Sequence, residues 1–166
     1  MITYPLLSHL NGDDILAWRY GEAVTVRRYL ADVRHLAAAL PAGQHMLNAC
    51  SDRYHFAVGL GAALLRRKIC LLPPTHAPEM MRQMQLQAPD VFCLADAPHG
   101  IALPGFVYHD AFARGAPELD PDEACDIPYL PGNQPVADVF TSGSTGLPQA
   151  HRKTWGSLVH IGRAHV

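Results

Sequence analysis

Apolar residues along this chain fall either into helical stripes or into short continuous runs. From Val26 the apolar positions run Val26, Tyr29, Leu30, Val33, Leu36, Ala37, Leu40, the i, i+3, i+4, i+7 stripe of an amphipathic helix. Thr25 has the side chain to cap it, and Pro41 and Gly43 end it. The run His45 to Cys50 is short and apolar and predicts a buried strand. Ser51 or Asp52 then opens a second helix to about Leu65, and Ile69 to Leu72 is a second strand closed by Pro73-Pro74. Pro78 to Gln87 predicts a third helix with Met80, Met81 and Met84 as core filler, and Val91 to Leu94 a third strand. Helix and strand in strict alternation predict βαβ units, hence an α/β fold with a parallel sheet flanked by helices.

The pattern changes at Ala95. Seven prolines between Pro98 and Pro135, with Glu118, Asp120, Asp122, Glu123 and Asp126, mark an irregular connection in which only Ile101 to Tyr108 has strand character. The expected organisation is therefore a βαβ-type core over residues 1–94, a Pro-rich connection over 95–135, and a strand, a loop and the start of a further helix over 136–166.

Composition narrows the picture. A 49% hydrophobic, 17% charged chain has the makings of a globular core, and a net charge of -2 gives it no overall attraction to nucleic acid or an anionic membrane. No stretch reaches the roughly 18 apolar residues of a membrane span, and Met1 to Pro5 has none of the marks of a signal peptide, so a cytoplasmic setting is expected. The cysteines Cys50, Cys70, Cys93 and Cys125 form no CxxC pair, and the first three lie in apolar runs, as small hydrophobes would. The ten histidines match no metal signature and read as scattered. Arg66, Arg67 and Lys68 are expected to complement the carbonyls at the end of the second helix. Gly59-Leu60-Gly61 lies inside that helix and lacks the third glycine of a dinucleotide fingerprint, so close helix packing is the better account.

The chemistry concentrates after the strand Val136 to Phe140. Thr141-Ser142-Gly143-Ser144-Thr145-Gly146-Leu147-Pro148 leaves that strand directly, and His151 to Val159 is expected to begin a helix. Glycines that admit close backbone approach, with four hydroxyls, have the parts of an anion cradle. Composition alone also permits a flexible linker. A Walker loop fails because Pro148 stands where glycine is needed and no Lys follows. A hydrolase nucleophile elbow on Ser144 has Ser142 where its first glycine belongs.

This loop resembles the signature phosphate-binding loop of the adenylate-forming superfamily, which includes acyl-CoA synthetases, aryl-CoA ligases and peptide-synthetase adenylation domains. The order of upstream elements, the Leu71-Leu72-Pro73 strand end and the stretch Glu79 to Asp96 are similar as well. The resemblance implies the first subdomain of that family's large N-terminal domain. It implies ATP-dependent activation of a small carboxylic acid, with Mg²⁺ on the phosphates, and transfer to coenzyme A or to the phosphopantetheine of an acyl carrier protein. Thr141, Ser142, Ser144 and Thr145 would supply hydroxyls to the ATP phosphates, and Gly143 and Gly146 the backbone freedom. The family's Lys and Gly after the proline are Gln149 and Ala150 here. Arg152 and Lys153 could replace the charge, or could be a solvated basic cluster. The family's adenine, ribose and C-terminal lysine motifs come later than Val166, so the 166 residues are expected to be an inactive N-terminal fragment. The other expectation is a non-catalytic module that binds nucleotide or a partner.

Overall fold

A computed structural model describes residues 1–143 and 146–163. Its centre is a six-stranded sheet of β4 (His45–Asn48), β5 (Ile69–Leu72), β6 (Phe92–Ala95), β7 (Gly105–Val107), β9 (Pro135–Ser142) and β10 (Pro148–Thr154). Their order is β10-β9-β5-β4-β6-β7, and every pairing is parallel except that of the edge strand β10 with β9. Two antiparallel pairs flank this sheet: β1 (Thr3–Pro5) with β8 (Tyr129–Pro131), and β2 (Ile15–Arg19) with β3 (Glu22–Thr25).

The helices are α1 (Val26–Ala39), α2 (Arg53–Leu65), α3 (Pro78–Gln87), α4 (Tyr108–Ala111) and α5 (Trp155–Arg163). Thr25 Oγ1 accepts from Arg28 N at 3.2 Å, which caps α1 as the sequence predicts. Asp52 caps α2 by accepting from the backbone of Tyr54 and His55. Pro78 opens α3, where its missing N–H has no partner to lose.

Successive strand residues point to opposite faces, and both faces are buried, so the strands read as unbroken apolar runs. Met46, Cys70, Phe92, Leu94 and Ala137 join the Val33 and Leu36 side of α1 and the Val58 and Ala62 side of α2. Leu47, Leu71, Cys93, Ala95 and Phe140 pack against Met81 and Met84 of α3. Cys70 and Cys93 are therefore core residues, and Cys50 and Cys125 are half-buried.

Three expectations are corrected. The stretch from His151 does not begin a helix: residues 148–154 are the strand β10, and the helix starts only at Trp155. Thr154 and Ser157 exchange side-chain-to-backbone hydrogen bonds across that start, a reciprocal cap that places it. Two of the basic residues after α2, Arg66 and Lys68, do not serve their own helix. Arg66 donates to the carbonyl of Ala37, and buried Lys68 donates to those of Pro41 and Gly43, so they close the end of α1. The histidines are not all scattered, because His55 stacks on Tyr108 at 4.1 Å, Tyr108 on Phe112 at 5.0 Å, and His35 lies 5.1 Å from Phe112. The Pro-rich connection lies along α1, whose Arg27, Arg28 and Arg34 donate to carbonyls of Glu123, Pro117 and Asp126.

Candidate functional site

Chain order runs outward from β4 in both directions, β5 on one side and β6 on the other, so the sheet has a topological switch point at β4. In open α/β sheets ligands bind beyond the C-terminal ends of the strands near such a point. Two groups of polar residues sit along that rim.

The first follows β4 and β6. Asp96, with only 4% of its side chain exposed, accepts from the backbone of Ser51 and Asp52, from Ser51 Oγ, and shares 2.9 Å with His55 Nδ1. Burial alone would raise its pKa, yet these donors outweigh burial and hold it well below the usual carboxylate range. Asp52 is also lowered, since the 2.7 Å bond from Arg19 and the two backbone donors overcome its desolvation. Tyr54 Oη donates to Asp32 at 2.6 Å. Burial pushes the Cys50 thiol up to about 12, with Asp96 adding to the shift, so Cys50 is no thiolate nucleophile near neutral pH. Arg19, Ser51, Asp52, His55 and Asp96 thus satisfy one another, which makes this cluster a brace between the switch-point strands.

The second group, at the end of β9, is open. Thr141 and Ser142 close the strand with exposed side chains, and the pairs Thr141↔Gln149 and Ser142↔Pro148 carry the β9–β10 ladder up to the turn. Gly146 has φ +80°, a left-handed conformation that favours glycine, and its N–H donates to the carbonyl of Gly143 at 3.0 Å. Gln87 Nε2, at the end of α3, donates to the carbonyl of Pro148 and ties the hairpin to the sheet. Ser144 and Thr145 lie outside the described residues. The loop is thus a hairpin between antiparallel strands. A nucleophile elbow needs strand, turn and helix, whereas the described residues that flank this loop are the two strands β9 and β10.

The two basic residues diverge because alternate residues of a strand face opposite ways. Arg152 points to the α3 face and holds Asp138 with two bonds of 2.9 Å. The carboxylate is buried and the guanidinium half-exposed, and this pair raises the pKa of Arg152. Lys153 faces the other way and has no ion pair among the described residues. On the Lys153 face His151 Nε2 lies 3.1 Å from Thr141 Oγ1, a contact that the reading of His151 as part of a helix concealed. Among the described residues no group of three or more His, Cys, Asp or Glu is placed to hold a metal ion. None of the described helices is long and apolar enough to cross a membrane.

No protein-family profile and no curated protein sequence matches the chain. Solved structures do. O-succinylbenzoate coenzyme A synthetase (MenE) from Bacillus subtilis in complex with AMP aligns over 99% of this chain with a TM-score of 0.74 at 17% identity. The N-terminal subdomain of Klebsiella oxytoca NpsA in complex with 3-hydroxybenzoyl-AMSN aligns over 90% with a TM-score of 0.66 at 16% identity. An artificially fused adenylation–PCP di-domain, NpsA-ThdA, aligns over 85% with a TM-score of 0.60 at 17% identity. This chain spans 46%, 39% and 29% of those three, less than half of each. The likeness establishes the fold, which this chain shares with MenE and with the NpsA N-terminal subdomain.

Proposed function

We propose that this chain is the phosphate-gripping N-terminal part of an ATP-dependent carboxylate-activating ligase. One observation carries the reading. The segment Thr-Ser-Gly-Ser-Thr-Gly-x-Pro turns at the C-terminal end of β9, in a fold shared with coenzyme A synthetases and adenylation domains.

The residues fit the task. The exposed hydroxyls of Thr141 and Ser142, with Ser144 and Thr145 between them and Gly146, offer donors to phosphate oxygens, and the glycines keep the backbone close. Phosphoryl transfer depends mainly on positioning and charge stabilisation, and Mg²⁺ supplies part of that charge when bound. The loop would hold the outer phosphates of ATP while a carboxylate oxygen attacks the α-phosphorus and pyrophosphate departs with the bonding electrons. The acyl-adenylate would then pass its acyl group to a thiol, that of coenzyme A or of a carrier-bound phosphopantetheine. Gln149 cannot supply the charge of the lysine usual in that family. Of the two cations beyond it Arg152 is engaged by Asp138, so Lys153 is the better candidate for phosphate charge. A reducing cytoplasm goes with the four unpaired thiols.

The test is carboxylate-dependent ATP–pyrophosphate exchange by the protein that carries this chain together with the rest of such an enzyme, across a panel of small carboxylic acids. The double variant Thr141→Val, Ser142→Ala should lower exchange about tenfold or more with the fold intact, because both side chains are exposed. Exchange at the parental rate in that variant would remove the loop from the reaction. Nucleotide binding without exchange for any acid would favour a non-catalytic module.

A further inference from the structure

Gln149 stands directly opposite Thr141 in the hairpin, and His151 follows two residues later on the same face of β10. Its Nε2 is 3.1 Å from Thr141 Oγ1, and both residues are exposed. Because a threonine hydroxyl has a single proton, that contact decides where the proton points. When Nε2 is bare, the hydroxyl donates to the ring and has no proton left for a ligand. When Nε2 carries a proton, the ring donates to Oγ1, and the hydroxyl proton is free to reach an anion. An imidazolium is a donor at both nitrogens, so it always produces the second arrangement and adds a positive charge beside it.

The charged groups on neighbouring elements leave this role to the imidazole. Asp138 on β9 lies on the opposite face, bound by Arg152. On α3 Glu79 pairs with Arg82, and on α5 His160 lies 3.0 Å from Tyr4 Oη. Lys153 shares the His151 face, two residues further from the turn. Position 149, closest to the turn on that face, is a neutral amide.

We infer that His151 is a positioning residue of the polyphosphate site: in its imidazolium form it turns the Thr141 hydroxyl proton outward to a phosphate oxygen. The inference rests on the phosphate-binding reading of the hairpin. It makes polyphosphate affinity depend on whether the imidazole carries its second proton.

The experiment is calorimetric titration of the 166-residue chain with inorganic tripolyphosphate at about pH 6 and about pH 8, for the parent, His151→Gln, Thr141→Val and the double variant. The protonation of tripolyphosphate itself is common to all of them, so the differences between proteins isolate the side chains. The expected result is that the parent binds about threefold to tenfold more tightly than His151→Gln at the lower pH, with the gap closing at the higher pH. In the Thr141→Val background His151→Gln should make little further difference, and His151→Lys should retain tight binding at both pH values. Equal affinities of parent and His151→Gln at both pH values, with binding retained, would overturn the role of His151 and leave the hairpin as a phosphate site. No binding by the parent at either pH would overturn both.

Discussion

Asp96 takes hydrogen bonds from Ser51 and Asp52 and pairs with His55, and through them it joins the end of β6 to the start of α2. Its folded pKa lies below that of an unfolded aspartate, about 3.9. The carboxylate's contribution to stability is therefore complete above that value and is lost as the pH falls through the folded pKa. Asp96→Asn should cost about 2–3 kcal/mol near neutrality, since it leaves donors without a charged acceptor. It should also flatten the decline of stability in acid, as read by urea midpoints from neutral to strongly acidic pH. A variant with the parental acid slope would show that other carboxylates govern acid unfolding, Asp52 and Asp90 being lowered as well. None of this is visible in sequence, because Ser51 and Asp96 are 45 residues apart. By contrast Thr25 as a cap and Pro78 as a first helical residue act on their own helices and were readable, and the hydroxyls of the hairpin were readable as a cluster because they are neighbours in the chain.

Helix α2 shows a local preference yielding to packing. Glycine in a helix interior costs about 1 kcal/mol relative to alanine, yet Gly59 and Gly61 both occupy α2. A Cβ at Gly61 would lie 2.7 Å from Tyr29 Oη and 2.8 Å from Val33 Cγ2, and one at Gly59 would lie 2.7 Å from Leu94 Cδ2. The two glycines let α2 settle onto α1 and the sheet, the close packing that their place inside the helix suggested. Gly61→Ala should destabilise the chain by about 1–3 kcal/mol despite its better helix propensity, measured as a drop in thermal midpoint. A rise in midpoint would show that α1 yields at no cost. Strand β10 failed to announce itself for the complementary reason. Its middle, Gln149 to Arg152, is exposed at the sheet edge and polar but for Ala150, so no apolar alternation marks it. Its strand character comes from the ladder with β9, and the start of the next helix was legible only in the Thr154–Ser157 pair.

At the scale of the whole molecule, the hairpin lies at one edge of the sheet, with Thr141, Ser142, Gln149 and His151 all exposed. A site that activates a carboxylate must surround ATP and acid and exclude water from them, and an exposed edge carrying a few hydroxyls does not. The 166 residues alone should therefore give no carboxylate-dependent ATP–pyrophosphate exchange while remaining folded by circular dichroism. Exchange above background from these residues would refute that assignment. By itself the sequence determined the βαβ succession, the parallel sheet, the caps and the hydroxyl-rich turn, because each depends on residues within a few positions of one another. Only the tertiary structure decided that β1 pairs with β8, that Asp96 braces the switch point, that Arg152 belongs to Asp138 and that His151 meets Thr141. Those contacts join residues from different strands and loops, and their partners are set by sheet order and register, which no local pattern of apolar and polar residues encodes.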